Sequence, residues 1–471
     1  MRLFRQLFPR VKLVRHYASF PEIKPCLEYT SITHPDTPAP QATLDLIRSH
    51  SQYQLNTYIR PPILFTRGSK CNLYDSVSRE YLDFSAGIAV TALGHSDPGV
   101  TAVIVDQASK LSHLSNVYWN EWAGALAKSI VDLTTLHGGL GLKPIETTSS
   151  TNQDSESKVG AQVFFSNTGT EANEGALKFA RKYGKQIGGE TKTGIVCFSN
   201  AFHGRTMGAI SCTPNPKYQK PFEPLIPGVR VGEYNDMDEE RMKVLIDDSV
   251  CGVIVEPIQG EGGVGTGKVE WLEMLGKRCR EVGAVLIYDE IQCGLFRTGE
   301  MWAHSSYPED AQPDIITMAK PLANGFPIGA ILVRSNIAES ITTGSHGTTF
   351  GGQPLATRIG HYVLSRLSDP SFITSINTTA QHLDGLLSRL PRLFPNLVSE
   401  IRGRGLIRGI AFKDEKMPGE VVRMARERGA LFLTAGKDTV RLVPALIVSE
   451  EECDRAIGVL ESCLALLSEK Q

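Results

Sequence analysis

Between residues 163 and 333 the chain repeats one pattern six times: a short, almost wholly apolar run, then a stretch with a different period. The runs lie at 163–165, 195–198, 253–255, 285–288, 315–316 and 330–333. Amphipathic helical patterns fall between several of them, for instance at 172–183 and 271–282. An apolar run without alternation is a strand covered on both faces, and helices between such strands imply crossover connections. The pattern therefore predicts an α/β fold around a mainly parallel sheet with helices on both sides.

Other segments are read around this centre. NLYD (72–75) and EYLDF (80–84) read as a hairpin, and 121–133 as an amphipathic helix. Residues 18–56 are polar and read as irregular, with Pro35, Pro38 and Pro40 breaking the chain. Residues 144–158 (PIETTSSTNQDSESK) read as an exposed polar insertion, a cheap addition to a surface loop. Residues 371–471 return to helices with a few strands, which suggests a smaller α+β unit.

The net charge of −2 argues against a nucleic-acid partner, and no run of 18 apolar residues predicts a membrane span. Residues 1–17 differ from the rest. They hold Arg2, Arg5, Arg10, Lys12 and Arg15 among Leu, Phe and Val, with no acid. A basic, acid-free, amphipathic start reads as an organelle transit peptide, with RHYAS (15–19) resembling a mitochondrial processing site. Losing its five positive charges would take the chain from −2 to about −7. The nine cysteines are scattered without a Cys-x-x-Cys pair, so neither a disulfide framework nor a zinc site is expected.

Four features carry chemistry together. At FSNTGTEANE (165–174) a strand gives way through Gly169 to a helix start, where free N–H groups suit a phosphate. Thr168 and Glu171 have capping-box spacing. Asp289 ends the apolar strand AVLIYD, where α/β sheets place ligands. Lys320 follows the strand IITMA; half-buried, it would favour the neutral, nucleophilic amine. Arg205 and Arg441 suit bidentate binding of carboxylates. Singly, each has an ordinary structural explanation: a loop, a helix cap, a surface lysine, solvated arginines. In combination, a phosphate cradle, a carboxylate and a lysine are what pyridoxal phosphate (PLP) requires.

The chain resembles the class III, ω-amino-acid aminotransferases over roughly residues 55–465. The resemblance rests on YLDF (81–84), GIAV (87–90), LGH (93–95), SNVY (115–118), FFSNTGTEANE (164–174) and FHGRT (202–206). It continues through VEPIQGE (255–261), DEIQ (289–292), RTG (297–299), FPIGA (326–330) and HGTTFGG (346–352). It implies PLP-dependent transferase fold type I: a large domain with a seven-stranded sheet, plus a smaller α+β domain built from both chain ends. The implied division is a transit peptide at 1–17, an N-terminal part of the small domain at 18–95, a PLP-binding domain at 96–352, and a C-terminal small domain at 353–471.

By the same resemblance, Lys320 and Asp289 are catalytic: Lys320 holds the cofactor and moves the proton, and Asp289 pairs with the pyridinium. Gln292 bonds the ring oxygen, Phe202 stacks on the ring, and Gly169 and Thr170 cradle the phosphate. Thr349 reaches that phosphate from the second subunit of a homodimer with shared sites. Arg205, Thr348, Glu261 and Arg441 serve the substrate, Arg205 gripping the far carboxylate and Arg441 the near one, with Glu261 covering Arg441 in between. No metal is implied. The expected substrates are N2-acetylornithine and 2-oxoglutarate, with glutamate as product, in the mitochondrial matrix. Ornithine or 4-aminobutyrate as donor, an aminomutase acting on glutamate semialdehyde, and a non-catalytic homologue are the alternatives. Asp97, Asn324 and Gln353 depart from the usual pattern.

Overall fold

The computed structural model describes residues 24–142 and 160–469. The expected transit peptide at 1–17 and the polar insertion at 144–158 lie outside the described residues.

Three sheets organise the chain. The first contains β1 (Phe65–Ser69), β2 (Asn72–Asp75) and β3 (Glu80–Asp83). The central sheet contains β4 (Ala161–Ser166), β5 (Gly194–Phe198), β6 (Val229–Gly232), β7 (Val250–Val255), β8 (Val285–Asp289), β9 (Ile315–Met318) and β10 (Gly329–Arg334). Toward the C-terminus come β11 (Val398–Arg404), β12 (Ile407–Phe412), β13 (Ala430–Leu431), β14 (Leu433–Ala435) and β15 (Thr439–Leu442). β13 pairs parallel with β3, so both chain ends build one sheet. The third sheet runs β11-β12-β15-β14.

The central sheet has seven strands in the order β4-β10-β9-β8-β7-β5-β6. Only β10 runs against the others. The α/β, mainly parallel sheet expected from the apolar runs is therefore present, with β6 as a strand the runs did not signal.

Although β5 and β8 are buried on both faces, their side chains still alternate. Ile195, Cys197, Val285 and Ile287 meet one apolar layer, which includes Ala172, Ala176 and Phe179 of the helix Gly169–Gly188. Val196, Phe198, Leu286 and Tyr288 meet another, built on Trp271, Leu272 and Leu275 of the helix Val269–Val282. That helix stops at Gly283, whose left-handed backbone (φ 69°) closes the last turn.

Two expectations are corrected. Residues 18–56 are not irregular throughout, because Gln41–Ser51 forms a helix. Pro40 precedes it, Gln41 bonds Asp45 one turn on, and buried Thr43 bonds Ser76, so local and tertiary contacts outweigh the polar composition. The capping box at Thr168 is one-sided. Thr168 Oγ1 accepts from Glu171 N, but the Glu171 carboxylate turns to Asn167 N (2.7 Å) and Asn167 Nδ2 (2.8 Å).

The three departures from the family pattern have structural employment. Asp97 and Gln353 cap helices by accepting from Val100 N and Leu355 N. Asn324 adopts the left-handed backbone (φ 46°) that asparagine tolerates. Its side chain accepts from Leu93 N (2.7 Å) and donates to Gly94 O (3.1 Å). All nine cysteines are unpaired and eight are buried. Among the described residues no helix is long and apolar enough to cross a membrane, and no group of side chains could hold a metal ion.

Candidate active site

The carboxyl ends of β4, β5, β7, β8 and β9 open onto one cavity of about 440 Å³. Such strand ends are where α/β sheets bind ligands, because the chain leaves the sheet there and loop side chains and helix starts converge. Gly169, Thr170, Phe202, Arg205, Asp289, Gln292 and Lys320 all line it. The sequence spreads these seven over about 150 positions; the sheet order gathers them.

Gly169 starts the helix that points its free N–H groups at the cavity. A side chain there would meet Ile291 at 2.8 Å, so the missing Cβ lets the loop after Asp289 close over the helix start. Gly204 has φ 136°, and a Cβ on it would lie 2.1 Å from Thr170 Oγ1. That close approach allows Thr170 Oγ1 to accept from Arg205 N (3.1 Å) and to bond Thr206 Oγ1 (3.0 Å). The Arg205 guanidinium lies over the Tyr218 ring, 3.7 Å from its centroid.

Asp289 is held from three sides. Oδ2 accepts from Asn173 Nδ2 (2.7 Å) and His203 Nδ1 (2.8 Å), and Oδ1 accepts from Ile291 N (3.1 Å). Thr317 in turn donates to Asn173 Oδ1 (2.7 Å), which fixes the amide orientation. Burial opposes charge on His203, but the Asp289 bond and the nearby carboxylates overcome it and raise its pKa. Glu256 accepts from Phe202 N and Gly260 N, and burial pushes it up to about 7. Burial, then the Arg441 charge, pulls the Lys320 amine down to about 8.

Arg441, on β15 in the third sheet, is not in the cavity lining, nor is Glu261; Arg441 joins the site by bonding Gln292. It is 2% exposed and donates to Gly260 O (2.7 Å), Gln292 Oε1 (2.9 Å) and Glu261 Oε2 (3.1 Å). Because Gln292 spends its carbonyl on Arg441, its NH₂ is the end left to donate.

Thr348 and Thr349 do not line this cavity. Thr348 Oγ1 accepts from Asn167 Nδ2 (3.2 Å) beside the strand end, while Thr349 is exposed. Asn173, His203 and Glu256 have no role that the sequence alone assigns. Asn173 carried a usable signal: a polar residue inside a helix, one turn after Gly169, is unfavourable unless something bonds it. His203 and Glu256 carried none beyond their place in the motifs.

The chain belongs to the class-III aminotransferases, whose family profile matches residues 53–464. It is 48% identical over 433 residues to the mitochondrial acetylornithine aminotransferase of Neurospora crassa, covering 92% of this chain and 89% of that one. It is 48% identical over 419 residues to the mitochondrial acetylornithine aminotransferase of Yarrowia lipolytica, covering 89% and 95%. Among solved structures, the ornithine aminotransferase of Toxoplasma gondii, with PLP partially occupying its active site, matches at a TM-score of 0.79 and 30% identity, covering 90% of this chain and 95% of that one.

Proposed function

We propose that this chain transfers the δ-amino group of N2-acetylornithine to 2-oxoglutarate, yielding N-acetylglutamate 5-semialdehyde and glutamate in arginine biosynthesis, with PLP as cofactor. One observation carries the reaction class. A half-buried amine and a buried carboxylate, Lys320 and Asp289, line one cavity, and Arg441, covered by Glu261, bonds Gln292 of the same lining. The choice of donor rests on the relatives: two proteins named for acetylornithine are 48% identical over about nine-tenths of the chain.

The residues fit the cofactor. Gly169 and Gly204 let Ile291 and Thr170 close in around the helix start, whose N–H groups can donate to a phosphate, and Thr170 and Phe202 line the cavity beside it. When bound, PLP supplies the electron sink for removing a proton from the amine-bearing carbon. Lys320 would hold the cofactor's aldehyde carbon at rest; once the substrate's amine displaces it, the freed amine, whose pKa burial lowers to about 8, would take and return that proton. Asp289, oriented by Asn173 and His203, would hold the proton on the ring nitrogen. Gln292 would donate its NH₂ to the ring oxygen, and Phe202 would pack against the ring.

Two substrates share this site. Arg205 grips the carboxylate far from the reacting carbon in both. Glutamate brings a second, near carboxylate, and Arg441 takes it. In the other half-reaction no near carboxylate arrives, and an uncovered buried arginine would be costly. Glu261, 38% exposed beside a 2% exposed Arg441, is the group that can swing between covering and releasing it. Glu261→Ala is expected to leave Arg441 always open. Stopped-flow half-reactions should then favour glutamate over acetylornithine by about tenfold relative to wild type. An unchanged ratio rules out the gate.

A homodimer with shared sites completes this reading. Asn116 bonds the carbonyls of Thr348 and Gly351, which holds the exposed apolar residues Val117, Tyr118, Trp119 and Phe350 in one neighbourhood. Trp119 is 98% exposed in the single chain, as expected of a surface that another subunit covers. Thr349 lies on that surface, able to reach the phosphate in a second copy. Residues 1–17 are read as the mitochondrial address and the matrix as the destination, supported by their composition and by the mitochondrial relatives.

The deciding experiment compares rates with acetylornithine, ornithine and 4-aminobutyrate at equal concentrations, with 2-oxoglutarate as acceptor. Acetylornithine is expected to be fastest. A faster rate with ornithine would move the chain to the other donor, and no glutamate release with any donor would end the proposal.

A further inference from the structure

Arg297 is completely buried, yet among the described residues no carboxylate pairs with it. Its Nη1 donates to the carbonyls of Leu406 and Pro444, while Nε and Nη2 have no partner. Burial alone pulls its pKa down to about 9. An unpaired buried guanidinium is a standing cost, so its place in the molecule needs a reason.

The reason lies in what its contacts join. Arg297 sits on the buried loop after β8, five residues beyond Gln292. Leu406 is in the turn between β11 and β12, and Leu406 N donates back to Arg297 O (2.9 Å). The turn comes so close that a Cβ on Gly405 would lie 2.6 Å from Thr298 Cα. Pro444 follows β15, three residues after Arg441. One guanidinium thus clips the strand end bearing Arg441 to the loop bearing Gln292, and Gln292 is itself an Arg441 partner. These contacts do not involve Glu261, so they persist when Glu261 moves away.

We propose that Arg297 is the positioning residue for the near-carboxylate site: it fixes Arg441 against the Gln292 loop while Glu261 is withdrawn, and so acts on the dicarboxylate half-reaction. The inference rests on the proposed role of Arg441 in binding that carboxylate. A purely structural residue would affect both half-reactions alike; a positioning residue for Arg441 would not.

The test uses the holoenzyme and half-reactions measured separately by stopped flow. Arg297→Met is expected to weaken saturation by 2-oxoglutarate and by glutamate about tenfold or more. The acetylornithine half-reaction and the cofactor's visible band should change by less than about threefold. Arg297→Lys, which keeps a donor, should recover part of the loss. Equal losses in both half-reactions, or none, would overturn the inference. So would failure of both variants to fold, since Arg297 would then be a residue of the fold. Arg441→Lys is the control. If it impairs 2-oxoglutarate use and the Arg297 variants do not, only the inference falls. If Arg441→Lys spares 2-oxoglutarate as well, the proposed role of Arg441 falls with it.

Discussion

Lys320→Ala is expected to lower the transamination rate by about 10⁴-fold or more, because in the proposed mechanism one amine both anchors the cofactor and moves the proton. The variant should fold normally, since Lys320 follows β9 in a short helical turn whose buried contacts come from Pro321, Leu322 and Ala323. The check is paired: half-reaction rates, and the visible absorbance of protein incubated with PLP, which should shift to that of noncovalently bound cofactor. A small primary amine added to the variant should restore a fraction of the rate by replacing the missing base. Activity within tenfold of wild type would remove Lys320 from the mechanism.

The lowered pKa of Lys320 gives this prediction a pH signature. Burial disfavours the ammonium form, so the amine is neutral above about 8 rather than above 10.5. Only the neutral amine attacks an aldehyde. Capture of PLP by cofactor-free protein should therefore speed up as pH rises toward 8 and level off above it. A rate still climbing steeply at pH 10 would mean that the amine is not desolvated as the structure places it.

Asp289→Asn has the second-largest expected effect, a fall of about 10²–10³-fold in both half-reactions. The substitution keeps the shape and one acceptor oxygen for Asn173 and His203 but removes the charge. Without that charge the ring nitrogen would lose its reason to stay protonated, and the buried His203 ring loses the partner that raised its pKa. The NH₂ that replaces Oδ1 faces Ile291 N, a lost bond worth about 1–3 kcal/mol, so thermal unfolding of the holoenzyme, run beside the rate measurement, separates loss of chemistry from loss of fold. A variant with unchanged rates would show that the carboxylate orients nothing essential.

Both positions are legible in the amino-acid sequence, and for the same reason. Each is a charged residue at the end of an apolar strand, where burial makes a charge expensive unless something uses it. The helix start at Gly169 is legible through strand–glycine–helix order. The one-sided cap is not, because whether the Glu171 carboxylate reaches Thr168 N or Asn167 N depends on a rotamer. The helix Gln41–Ser51 is hidden by composition: its polar side chains face solvent, and buried Thr43 meets Ser76, 33 residues away. Asn173 and His203 acquire roles only because β4, β5 and β8 bring them to Asp289.

The sequence by itself determined the alternation of buried strands and helices, which follows from hydrophobic period and turn residues. It offered Lys320, Asp289, Arg205 and Arg441 as candidates, and the roles proposed for them come from the family resemblance. Tertiary structure alone decided that β10 runs against its neighbours and that Gln292 Oε1 accepts from Arg441, and it shows the Glu261–Arg441 pair that the resemblance implied. It also decided that Arg297 clips together segments about 110 and 150 positions apart. Such relations depend on which segments the sheet order makes adjacent and on how closely backbones approach, and neither is encoded in any short window of residues.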